Sequence, residues 1–107
     1  MPWGPSEFHT KNLVRFAEEV KKVTNGDVEI TVHSGGSLGI KGAESLRSVQ
    51  DGIVPMAEMA GFQQTGDEPM LGFEALPYLI NDYDELEVFV GKIRGLYEKA
   101  FEKHNQK

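Results

Sequence analysis

The sequence contains no cysteine. Disulfides, thiolate metal sites and cysteine nucleophiles are therefore excluded. Basic residues are in deficit: 11 Lys and Arg stand against 17 Asp and Glu, for a net charge of −6 and a pI near 5.0. A nucleic-acid binder needs a basic face to displace counterions from phosphate, and an anionic membrane surface needs a polybasic segment; this balance argues against both. A small anionic ligand stays open, because one buried Arg can dominate a pocket whatever the total charge. No apolar run approaches the roughly 18 residues of a membrane-spanning helix. The opening Met1-Pro2-Trp3-Gly4-Pro5 has no signal-peptide pattern, so an exported protein is expected to have lost its signal ahead of this start. Low-complexity and collagen-like tracts are absent as well.

What remains is ordinary soluble composition, with 39% hydrophobic and 26% charged residues. At 107 residues the chain is one domain at most, with a thin margin for burying a core. From Glu7 to Thr24, Leu13, Phe16, Ala17, Val20 and Val23 recur at helical spacing, with charged residues opposite. Ser6 reads as the N-cap and Asn25-Gly26 as the stop. Val28 to Val32 alternates apolar and polar residues and predicts a strand, broken by Ser34-Gly35-Gly36-Ser37. A second helix is predicted over 41–51 and another strand over 53–59, with Pro55 at an unpaired position. Residues 61–81 read as a structured loop with a short helical turn near Gln63. The clearest pattern is the last: Asp82 with Glu85 forms a cap, and Leu86, Phe89, Val90, Ile93, Leu96, Tyr97, Ala100 and Phe101 form one stripe, predicting a helix over 82–103. Strands alternating with helices predict an α/β fold with a parallel sheet, although two strands are too few to complete one.

Chemistry is sparse. His9, His33 and His104 lie far apart with no metal-ligand spacing. The serines sit in no nucleophile elbow, and Ser34 to Gly39 lacks the Gly-Lys-Ser/Thr ending of a phosphate loop. Its strand-to-helix turn would still deliver free N–H groups suited to an anion. Glu58, among Met56, Ala57, Met59 and Ala60 at the end of a predicted buried strand, is either a ligand contact or a strand-end charge in solvent. The acidic runs 67–68 and 82–87 lack the spacing of a calcium loop.

Several segments taken in order resemble a known family. Phe16 to Gly26 with Val28-Glu29-Ile30, then Gly35-Gly36-Ser37-Leu38-Gly39, Leu46 to Met56, and Leu76-Pro77-Tyr78-Leu79 before a long helix are similar to the DctP-type substrate-binding proteins of TRAP transporters. The resemblance covers nearly the whole chain. It implies a periplasmic, two-lobed receptor without catalysis or cofactor, which closes on a small organic acid and hands it to a membrane permease. It implies that residues 1–107 are a single partial domain, the parallel-sheet first lobe of a periplasmic binding protein-like fold, with its first strand largely missing. First-lobe ligand contacts then fall at Phe8 and His9, at Lys41, at Glu58, and at Gly61 and Phe62; Lys41 favours a second carboxylate. The family's carboxylate-gripping Arg belongs to the second lobe, so Arg15, Arg47 and Arg94 are given no such role. A first lobe lacking its strand is expected to self-associate. The rival reading is a small self-associating α/β interaction module whose interface is the stripe from Leu86 to Phe101 with Gly91 and Gly95. An enzyme resting on His9 and Glu58 comes third.

Overall fold

The computed structural model describes residues 1–106. Its regular elements are all helical: α1 (Phe8–Val23), α2 (Ser45–Gln50) and α3 (Tyr83–Lys103), with 3-10 turns at Gly42–Glu44, Gly61–Gln64 and Pro69–Ala75. Among the described residues there is no strand, which corrects the predicted parallel-sheet α/β class. Both predicted strands run without regular structure. The physical reason is that a strand exists only as one member of a ladder, whereas a helix closes its own hydrogen bonds. The alternation over Val28–Val32 is kept only in part: Ile30 and Val32 are less exposed than Glu29 and Thr31, whereas Val28, on the same side as Ile30 and Val32, is 45% exposed. It does not supply a partner, and among the described residues neither 28–32 nor 53–59 forms a strand. The residues nearest to a ladder are Met1–Trp3, which meet the turn after the first β-prone run, through Gly35 N–H to Trp3 C=O at 2.7 Å and Gly36 N–H to Met1 C=O at 3.2 Å.

The chain divides into two compact units, Met1–Gly42 and the described part of Ala43–Lys107. In the first, α1 ends as its sequence dictates. Asn25 and Gly26 take positive φ of 52° and 85°, and Gly26 N–H reaches back to Lys21 C=O at 2.8 Å. Its start differs from expectation. The N-cap is Glu7 with no side-chain cap bond, not Ser6. Thr10 and Ala17 are the residues of α1 that become buried.

The second unit has its core in Leu46, Leu71, Ile93 and Ala100. Residues 41–51 split into a 3-10 turn and a short α2 rather than one helix. The helical turn expected near Gln63 is present at Gly61–Gln64. The 3-10 turn Pro69–Ala75 was not expected, although its start carries a recognisable signal: Glu68 caps it by accepting from Met70 N–H, and Pro69 sits where no N–H is needed. α3 matches its prediction closely. Asp82 Oδ1 accepts from Glu85 N–H at 2.8 Å, and Glu85 Oε2 reaches back to Asn81 N–H at 2.8 Å, one residue earlier than the usual capping box. The apolar stripe is only half used. Ile93 and Ala100 are buried, whereas Val90 and Leu96 remain exposed.

Candidate functional site

Within the first unit the expected contacts Phe8 and His9 occupy the first turn of α1. The His9 imidazole stacks on Trp3, with centroids 4.6 Å apart and planes 17° from parallel, and Phe8 lies against the same imidazole at 3.9 Å and 32°. Two rings this close to one imidazole cannot share a face, so His9 is the middle of a three-ring file. The file is fixed from its backbone. The buried Thr10 hydroxyl donates to Gly4 C=O at 2.7 Å, and Gly35 N–H donates to Trp3 C=O at 2.7 Å. The Trp3 indole Nε1–H is buried and has no hydrogen-bond acceptor. Sequence reasoning missed Trp3 and Thr10, because no periodicity marks an aromatic residue in an irregular segment ahead of a helix. Lys41 is exposed at the end of this unit. His33 is exposed, and its carbonyl accepts from the Met1 nitrogen at 3.1 Å.

The other three expected contacts lie in the second unit. Glu58 is partly buried, and Phe62 is largely exposed. Gly61 has a packing reason to be glycine: a Cβ there would stand 2.7 Å from the Leu71 carbonyl oxygen and 2.9 Å from Glu74 Oε1. Close approach of the two 3-10 turns is sufficient to require it, with or without a ligand.

Two polar clusters of this unit went unread in the sequence. Buried Gln64 accepts from the buried Leu46 N–H at 3.1 Å and so ties the Gly61–Gln64 turn to α2. Glu68, also buried, receives Met70 N–H at 3.2 Å and faces Lys103 Nζ and His104 Nε2, each at 3.5 Å. Burial pushes the Glu68 carboxyl up, but the Met70 N–H and the positive charge of Lys103, with bonds from Lys103 and His104, outweigh it and hold the group below the ordinary range. His104 Nδ1 also meets Gln50 Oε1 at 3.0 Å, so this histidine near the end of the chain is docked. A cleft of about 240 Å³ is lined by Ala43, Glu44, Arg47, Gln63, Gly66 and Asp67 and contains none of the expected contacts. Arg47 is held there by Asp67 at 2.6 Å, and Arg94 pairs with Glu98 at 3.1 Å along α3. Neither is a spare cation for a ligand. Among the described residues no group of three His, Asp or Glu side chains converges as a metal site, and no helix is long and apolar enough to cross a membrane.

The family model for DctP, described as bacterial extracellular solute-binding protein, family 7, matches residues 1–107, the whole chain. The chain belongs to this family. No curated protein and no solved structure matches it. DctP proteins are solute-binding receptors of TRAP transporters, a transport family and not an enzymatic one. Members bind a ligand and work with the TRAP membrane permease. The family resemblance read from the sequence therefore holds. Capture of a solute requires shape, charge and hydrogen bonds but no bond-making group.

Proposed function

We propose that this chain supplies the first-lobe part of a periplasmic receptor for a small organic acid, passed on to a TRAP permease. The observation that carries the reading is the DctP match over all of residues 1–107. On this reading Phe8, His9 and Lys41 are the candidate solute contacts of the first unit, and Glu58, Gly61 and Phe62 are those of the second, each unit taken by itself. Lys41 provides the positive charge for a carboxylate, Glu58 an acceptor for a solute hydroxyl or ammonium group, and the aromatic residues apolar walls, the usual division of labour in small-molecule sites. The charged clamp of the family comes from a second lobe, so this chain alone binds weakly. The test is titration of the chain with a panel of mono- and dicarboxylates, followed by amide chemical shifts. Millimolar binding that weakens in Lys41→Ala supports the reading. No carboxylate moving any resonance at those concentrations refutes it.

The chain is also proposed to associate with copies of itself through α3. The supporting observation is the uncovered part of its stripe: Val90 and Leu96 are each 48% exposed, on one helix. Apolar residues in such a run mark an interaction surface. Sedimentation that finds a monomer across the accessible concentration range, unchanged by Val90→Glu, removes this part.

A further inference from the structure

We propose that Asn25-Gly26 is a site of spontaneous deamidation, and that the hydrogen bond closing the end of α1 holds the reaction back. The inference stands apart from the receptor reading.

The sequence sets the chemistry. Of the four asparagines, Asn25 alone is followed by glycine, which puts no Cβ in the way of its own backbone nitrogen. That nitrogen, after losing its proton to water, attacks Asn25 Cγ. The new N–Cγ bond closes a succinimide ring, the Cγ–Nδ2 bond breaks, and Nδ2 leaves as ammonia with a proton taken from water. Water then opens the ring at either carbonyl, leaving aspartate or isoaspartate. Nothing is oxidised or reduced, and water is the co-reactant.

The structure sets the rate. Asn25 and Gly26 are both exposed, and a Cβ added at Gly26 would meet nothing within 4 Å, so water reaches the site. The same two residues, at positive φ of 52° and 85°, make the two-bond stop of α1. Asn25 N–H donates to Lys22 C=O at 3.1 Å, and Gly26 N–H donates to Lys21 C=O at 2.8 Å. The proton that must leave is therefore the one Lys21 C=O holds, and the nitrogen that must turn toward Cγ is fixed against the helix end. Attack waits for the stop to open, and helix ends open more readily than cores. The turn is closed further by Val28 N–H on Thr24 Oγ1 at 3.1 Å and by Lys21 Nζ on Glu29 Oε1 at 2.7 Å. Isoaspartate adds a backbone carbon between residues 25 and 26, so both stop bonds can no longer close in register. Deamidation is then one-way damage to the end of α1.

The test incubates the full chain at neutral pH, folded in buffer and unfolded in guanidinium chloride, and then digests it with trypsin. Cleavage after Lys22 and Lys41 releases residues 23–41, in which Asn25 is the only side-chain amide. A mass gain in this peptide reports Asn25 alone, and Asn25→Gly, which suits the positive φ, should abolish it. The unfolded chain is expected to react about 2- to 10-fold faster than the folded one, the factor by which one intramolecular hydrogen bond favours its closed state. Hydrogen exchange at the Gly26 amide of the folded chain should show protection of the same size. No mass gain in residues 23–41 of the unfolded chain overturns the site. Equal rates in the two states overturn the restraint, as does slow folded-state reaction beside an unprotected Gly26 amide.

Discussion

Glycine substitutions at three positions are predicted to move stability in opposite directions. At Gly61 an added Cβ meets the Leu71 carbonyl oxygen at 2.7 Å and Glu74 Oε1 at 2.9 Å. The carboxylate can swing away on its flexible stem. The carbonyl cannot, because it belongs to the backbone of the Pro69–Ala75 turn, whose Leu71 side chain is 1% exposed and anchors the core. Gly61→Ala must therefore push one 3-10 turn off the other, at an overpacking cost of about 1–3 kcal/mol. At Gly91 and Gly95, inside α3, a Cβ meets nothing within 4 Å. Alanine there only restricts the unfolded chain and favours the helix, worth about 0.5–1 kcal/mol each. Each kcal/mol moves Tm by roughly 4–8 °C in a domain of this size. Thermal unfolding followed by circular dichroism, at concentrations where the protein is monomeric, separates the signs. The expected order is Gly91→Ala/Gly95→Ala above the unaltered chain and Gly61→Ala below it. A neutral or stabilising Gly61→Ala would refute the close packing of the two turns, and with it the account of this core.

Acid should weaken the second unit through Glu68. Its folded-state carboxyl is held below the usual 4.5, so the folded chain takes up its proton less readily than the unfolded one. The stabilisation is complete above that value and is lost as pH falls through the lower folded-state value. Urea midpoints taken from neutral into acid pH should drop less steeply in Glu68→Gln than in the unaltered chain, and identical slopes would contradict the assignment. Gln64→Ala should cost about 1–3 kcal/mol, since it strands the buried Leu46 N–H that Gln64 Oε1 now accepts from. Hydrogen exchange at the Leu46 amide reads this directly, and unchanged protection in the variant would show that the bond is dispensable.

The sequence by itself determined the helices. α1 and α3 were legible in place and length, because a helix closes its hydrogen bonds within the segment and records its buried face at short spacing. Their stops and caps at Asn25-Gly26 and Asp82 were legible for the same reason. Family membership was legible too, in short motifs at set separations. The tertiary structure alone decided what the β-prone runs became. Val28–Val32 and Ile53–Met59 carry strand-like residues, but a ladder partner is a property of another segment, and among the described residues neither run forms a strand. It also decided which polar groups matter. Gln64, Glu68 and His104 meet their partners across 18 to 54 positions of chain, and Trp3 meets His9 ahead of any periodic element. No local spacing rule encodes contacts made by folding segments with independent patterns onto one another.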